Sequence, residues 1–187
     1  MKVEPFTNLK DVKNIKKLLR GESKFRDLLM FTMGINSGMR VQDLLSLRVE
    51  DVIGKNVGDR IVVREKKTGK ENVIIVNKEI AECFKLYMDE IGPDDKHFIF
   101  RSRKGRNYPL STYRVTGLVK SWASSLNIKG NYGAHSLRKT FCYIQRMHFG
   151  VSWEVLSQRL NHSSPSITRR YIGVQKEEVE SILLNNI

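Results

Sequence analysis

The sequence predicts a mainly helical α+β domain with one small antiparallel β-sheet. Three features lead there. Both flanks repeat apolar residues at the spacing of amphipathic helices. The middle switches to two β-branched runs, Arg60-Ile-Val-Val-Arg64 and Glu71-Asn-Val-Ile-Ile-Val76, joined by a glycine-containing turn. With 187 residues, 40% of them apolar, the chain can fill one core but is short for two domains.

The elements follow in order. Thr7 or Asn8 can cap a helix that carries Leu9, Val12, Ile15, Leu18 and Leu19 and ends at Gly21. Ser23 opens a second helix from Phe25, which stops near Ser37-Gly38, and Arg40 stands at the entrance to a short helix with Val41, Leu44 and Leu45. After the hairpin, Phe98-Ile-Phe100 is a candidate third strand. Asn77 caps a helix through Ile80, Phe84, Tyr87 and Ile91, closed by Gly92-Pro93. Ser111 opens another through Val115, Leu118, Val119 and Trp122, and His135 to Phe149 forms the next. Ser152 begins a helix through Leu156 and Leu160. Ser164-Pro165 then places proline at the first position of a short helix bearing Arg169, Arg170 and Tyr171. The tail from Gln175 is amphipathic through Val179, Ile182 and Leu183.

Charge narrows the partner. Lys and Arg number 33 against 20 Asp and Glu, a net +13, which favours a polyanion because neutralising phosphates releases condensed counterions. No stretch approaches the roughly 20 apolar residues of a spanning helix, and no secretory h-region follows Met1. Cys83 and Cys142 fall in helical patterns and read as buried thiols of a reducing compartment, so the expected location is the cytoplasm. CxxC and HExxH motifs are absent, and His97, His135, His148 and His162 lack zinc-site spacing. Neither a metal nor an organic cofactor is expected.

Within this basic chain, polar residues recur in a distinctive order. Ser37-Gly-Met-Arg40 is followed by Asp43, then Lys67-Thr-Gly69 on the hairpin, then Ala134-His-Ser-Leu-Arg-Lys-Thr140. Leu160-Asn-His162 comes next, and Tyr171 lies nine residues beyond His162. Alone, each piece has an ordinary explanation: Arg40 as a cation at a helix C-terminus, Arg138 on a solvated face, the histidines and Tyr171 as packing residues. Jointly, across about residues 25 to 175, they closely resemble the catalytic domain of the tyrosine recombinases, the phage integrase family.

Such residue types suit attack on a phosphodiester. A tyrosine hydroxyl must lose a proton whose reference pKa is about 10, which nearby cations favour and a neutral imidazole can accept. Planar guanidinium groups bind the non-bridging oxygens in bidentate fashion as charge builds on them, a task that metal-dependent nucleases give to ions. The leaving 5′-oxygen needs a proton, which a lysine on a hairpin tip can deliver. No carboxylate cluster suited to Mg²⁺ appears, and no GxxxxGK[ST] loop.

The resemblance implies roles. Arg40 and Arg138 hold the scissile phosphate, His135 assists tyrosine activation, His162 is a second phosphate contact, and Tyr171 is the nucleophile that forms a 3′-phosphotyrosyl link. Lys67 is the general acid, with Lys66 as its rival, because neighbouring side chains on a hairpin point to opposite faces. Asp43 buttresses the site by orienting His135 or Arg40. Lys66, Lys70, Arg101, Arg103, Lys104, Arg106, Lys139, Arg169 and Arg170 are candidate DNA contacts, with solvated loop or helix charges as the alternative for the arginine clusters.

The implied fold is the tyrosine recombinase catalytic-domain fold, with residues 1–187 as one such domain. The implied partners are double-stranded DNA and other protomers in a tetrameric synapse, with the tail docking on a neighbour. Two departures stand out. The N-terminal helical clamp domain usual in the family has no counterpart, and Asn161 replaces the glycine of the commoner Leu-Gly-His. The competing readings are a catalytically silent DNA-binding regulator of the same fold and a type IB topoisomerase-like nicking-closing enzyme.

Overall fold

A computed structural model describes residues 3–92, 94, 96–103, 107–173, 180, 183 and 184. Its centre is helix α2, Phe25–Ser37, which is buried without a break from Asp27 to Ile35. A helix apolar around most of its girth must be surrounded, and α1 (Leu9–Gly21), α4 (Lys78–Ile91) and α6 (Ala134–Met147) pack against it. At Gly34 a Cβ would fall 2.7 Å from Leu137 Cδ1, so glycine is what lets α2 and α6 approach this closely.

Capping follows the sequence signals at most starts. The Asn8 side chain accepts from the Lys10 amide, Asn77 from Ile80, Ser111 from Arg114 at the start of α5 (Thr112–Ser125), and Ser152 from Val155 at the start of α7 (Trp153–Arg159). Proline occupies the first turn of α8, Pro165–Ile172. Ser23 differs from expectation. Its φ is 51°, which puts it in a left-handed turn, and Lys24 takes the N-cap position without a side-chain bond.

The short helix α3, Val41–Leu44, leads through a single 3₁₀ turn, Val49–Asp51, to the hairpin. Strands β1 (Arg60–Arg64) and β2 (Glu71–Ile75) pair antiparallel with Val62 opposite Val73 and Arg64 opposite Glu71. Ile61 and Val63 face the core, while Arg60, Val62 and Arg64 face out. The expected third strand does not join this sheet, which has two strands among the described residues. Phe98 instead forms an isolated bridge to Arg48, the Ile99 amide donates to the Leu47 carbonyl, and the Leu110 amide to the Phe100 carbonyl. The Tyr87 hydroxyl takes the Ile99 carbonyl. With its backbone satisfied by these loops, the segment buries Ile99 and Phe100 in the core and has no need of the sheet edge.

Two apolar clusters result. The larger surrounds α2. The smaller gathers Phe141, Cys142, Trp153, Leu156, Leu160 and Ile172 from α6, α7 and α8, with Tyr171 packed against it. The N-terminal segment is stitched to the same α6: the Phe6 amide donates to Thr140 Oγ1 at 2.8 Å, and the Phe6 ring stacks on Tyr132 at 4.3 Å. The tail lies mostly outside the described residues. Val179 and Ile182 are among those not described, and Leu183 is exposed.

Candidate active site

The site lies where four chain segments meet: the turn after α2, the β1–β2 hairpin, the start of α6, and the loop from α7 into α8. Gly38 ends α2 in the left-handed region, at φ 64°, and a Cβ there would lie 2.5 Å from the Phe141 ring. That tight turn presents both the Gly38 carbonyl and, two residues on, Arg40 at the head of α3.

Arg138 is 2% exposed. Its Nη1 donates to the Gly38 carbonyl and its Nη2 to the Leu160 carbonyl, each at 2.6 Å. A guanidinium has five N–H donors, so these two anchors fix its plane and leave donors for an anion. Burial, and then the like charge of Arg40, push its pKa down to about 10, which still leaves it protonated at neutral pH.

Arg40 is held differently. Its Nη1 donates to Glu65 Oε2 at 2.7 Å, and Glu65 is 1% exposed. Thr68 Oγ1 also donates to Oε2, while Asn72 and Asn161 side-chain amides donate to Oε1. Burial alone would raise this carboxyl; the hydrogen bonds from Thr68, Asn72 and Asn161 and the charge of Arg40 outweigh that and hold it at about 2.

His162 is half-buried, with Nδ1 2.8 Å from Thr168 Oγ1, a hydroxyl that is itself fully buried. Burial and the charges of Arg138 and Arg40 push its pKa down to about 4, so the ring is neutral at pH 7. His135 sits three residues before Arg138 on α6 and is exposed on its outer side. Desolvation on the inner side, followed by Arg138, Lys139, Arg40 and Lys67, holds it below the ordinary 6.5.

Tyr171 projects from α8 into this group. Its ring meets His162 edge-on, with centroids 5.5 Å apart, and Lys139 Nζ lies 5.1 Å from its ring centre. The phenol oxygen is buried and has no well-formed hydrogen bond among the described residues. Burial pushes its pKa above 10, while the charges of Arg138 and Arg40 oppose the rise. The fold therefore gathers Arg40, Arg138, His162 and Tyr171 at one place. Lys67 is exposed in the hairpin turn and acts electrostatically on both histidines.

Several expectations change. Asp43 orients neither His135 nor Arg40. It is 1% exposed, and its Oδ1 accepts from the Lys66 amide at 2.9 Å, so it anchors the turn of the hairpin. Lys66 and Lys67 are both exposed in a turn, where the strand alternation invoked to separate them no longer applies. Lys139 is not a surface DNA contact: it is 3% exposed, because its Nζ is drawn inward to the Val3 carbonyl at 2.8 Å. Lys70, Arg103, Arg169 and Arg170 are exposed, with the Arg169 guanidinium 5.7 Å above the Trp153 ring. Arg101 is half-buried with its Nη1 on His97 Nδ1. Lys104 and Arg106 fall outside the described residues.

Glu65, Asn72, Arg159 and Thr168 carry no role in the sequence reading, and Asn161 stands there only as a departure from the usual glycine. For Glu65 a signal existed: it continues the inward register of Ile61 and Val63, and an acidic residue in that register must be paired. Arg159 donates through Nε to the Ser37 carbonyl at 2.9 Å and through Nη1 to Asn72 Oδ1, which braces α7 against the end of α2 and against β2.

Comparison with known proteins identifies the family and the fold. Residues 6–178 match the model of the phage integrase family. The chain is 32% identical over 178 residues to the probable integrase/recombinase YoeC of Bacillus subtilis, covering 94% of this chain and 92% of that protein. It is 27% identical over 186 residues to the tyrosine recombinase XerC of Caldanaerobacter subterraneus, but spans only 50% of it. Among solved structures it shares a fold with the XerA recombinase, at a TM-score of 0.76 and 19% identity over 99% of this chain and 66% of that one. The XerH site-specific recombinase, bound to palindromic difH substrate in a post-cleavage complex, gives 0.73 and 20% identity over 97% of this chain and 53% of that one.

Proposed function

We propose that this chain, which belongs to the phage integrase family, is a site-specific DNA recombinase that cuts and rejoins DNA by transesterification. The observation that carries the reading is the meeting of a buried tyrosine hydroxyl with two guanidinium groups and a neutral imidazole. A helix surface has no use for that combination; a phosphodiester does.

In this mechanism the Tyr171 oxygen attacks phosphorus, the bond to the 5′-oxygen breaks, and a 3′-phosphotyrosyl link conserves the energy of the broken bond. The phenol's raised pKa means that it enters as a neutral group and gives up its proton during attack, to His135, which is neutral at pH 7. Arg138 and Arg40 take the charge that develops on the non-bridging oxygens. His162 adds a hydrogen bond there, its ring direction fixed by Thr168. Lys67, at the hairpin tip, protonates the leaving 5′-oxygen. Double-stranded DNA is the substrate, and other protomers on DNA complete a tetrameric synapse. Residues 1–187 act as one catalytic unit in the cytoplasm; among the described residues no helix is long and apolar enough to cross a membrane.

The test is a nicked suicide duplex labelled on either side of the cleavage point, resolved on a denaturing gel. Covalent attachment to the 3′-phosphate side with release of a free 5′-hydroxyl is expected. DNA bound at low salt without any covalent species would instead make the chain a silent binder.

A further inference from the structure

We infer that Glu65 is a positioning residue that locks the Lys67 hairpin, Arg40 and the His162 loop into one unit. The inference rests on the transesterase reading of the site, and it concerns a residue to which that chemistry gives no part. Its carboxylate has about four acceptor positions, and all four are filled. Oε1 accepts from Asn72 Nδ2 at 2.9 Å and Asn161 Nδ2 at 3.0 Å; Oε2 accepts from Thr68 Oγ1 at 2.6 Å and Arg40 Nη1 at 2.7 Å.

These donors come from three separate stretches of chain. Thr68 and Asn72 belong to the hairpin, Arg40 to the head of α3, and Asn161 to the loop between α7 and α8. No acceptor position remains for a substrate group, so Glu65 acts through its neighbours. One charge-assisted bond orients the Arg40 guanidinium and leaves its other donors for phosphate. The same carboxylate fixes the hairpin two residues before Lys67 and the loop one residue before His162.

Asn161 is shaped for this link. Its φ of 51° is a left-handed conformation that asparagine tolerates better than most residues, and its side chain spends an amide on Glu65. The adjacent Leu160 carbonyl anchors Arg138 and the adjacent His162 ring faces Tyr171. Three consecutive residues thus connect Glu65, Arg138 and Tyr171. Asn72 extends the brace to Arg159.

Full-length Glu65→Gln and Asn161→Gly separate positioning from binding. Glu65→Gln removes a negative charge next to Arg40, so non-covalent DNA affinity measured in a Tyr171→Phe background holds or rises. The single-turnover rate of covalent attachment falls about 100-fold, the scale of a misplacement near 1 Å. Asn161→Gly suits the left-handed turn and removes one bond; its rate falls about 3- to 10-fold at unchanged affinity. The double variant is no slower than Glu65→Gln alone, because both act through one carboxylate. Wild-type rates in both variants, or affinity falling in step with rate, overturn the inference. If the wild-type chain forms no adduct, the transesterase reading fails, and amide hydrogen exchange then decides the lock by itself. Faster exchange at residues 66–70 in both variants upholds it, and unchanged exchange overturns it. Should Glu65→Gln not fold, Asn161→Gly alone carries both readouts.

Discussion

At the residue scale, the two arginines are held by opposite means. Arg138 is fixed by two carbonyls, which cost it no charge, whereas Arg40 is fixed by a carboxylate. Lysine in place of Arg138 can reach at most one of those carbonyls in good geometry and presents a point charge in place of a fork. Arg138→Lys is expected to slow covalent attachment by about 10²- to 10³-fold and to lower the urea midpoint, because a buried carbonyl loses its donor. Single-turnover gels and denaturant curves check the two effects. The histidines give a second prediction. Both have folded-state pKa values below the ordinary 6.5, so between pH 6.5 and about 4 the unfolded chain binds more protons and stability falls as pH falls. Glu65 contributes separately. Its folded value of about 2 makes its stabilisation complete above the usual carboxylate range and lost as pH drops toward 2. Urea midpoints measured from pH 6.5 to 5.5, above the usual carboxylate range, therefore read the histidines. The decline expected there flattens in His162→Asn; an unchanged slope in that variant contradicts the assignment.

At the element scale, the turn after α2 does two jobs. Gly38 permits the left-handed geometry and the close pass of the Phe141 ring, and its carbonyl holds Arg138. Gly38→Ala is expected to cost about 2–4 kcal/mol in stability, from left-handed strain together with overpacking against Phe141. It also slows covalent attachment, since Arg138 loses an anchor. Denaturant midpoints read the first effect, and a wild-type midpoint contradicts this account of the turn. The sequence carried most of the helices because their starts are chemically marked: Asn8, Asn77, Ser111 and Ser152 each accept from a backbone amide as such residues do. The third strand misled because Phe98-Ile-Phe100 is apolar enough for a strand, and an apolar run alone cannot reveal that its hydrogen bonds go to Leu47, Tyr87 and Leu110. Asp43 misled for a similar reason. The resemblance cast it as a partner of His135 or Arg40, but its acceptor takes the Lys66 amide 23 residues away.

At the scale of the whole molecule, α2 serves as the axis on which α1, α3, α4 and α6 assemble, and Tyr171 packs against the separate, smaller cluster of α6, α7 and α8. The order of Arg40, His135, Arg138, His162 and Tyr171 was legible because each stands in a recognisable motif. The Glu65 lock was not, since its four donors are scattered from residue 40 to residue 161 and meet only in the fold. Two bulk properties follow. With guanidinium groups supplying the positive charge at the proposed phosphate site, covalent attachment should be unchanged by excess EDTA; loss of the adduct on chelation would require an ion in that role. With a net charge of +13, DNA affinity should fall linearly in log–log form with salt, and a flat response would deny the phosphate contacts.

The most direct measurement is the identity of the residue joined to DNA. Wild-type protein trapped on a suicide duplex, digested with protease and read by mass spectrometry should yield one nucleotide-bearing peptide, with the phosphate on Tyr171. Tyr171→Phe should bind the same duplex and yield none. A phosphate carried by any other side chain, or an adduct that survives Tyr171→Phe, would contradict the account.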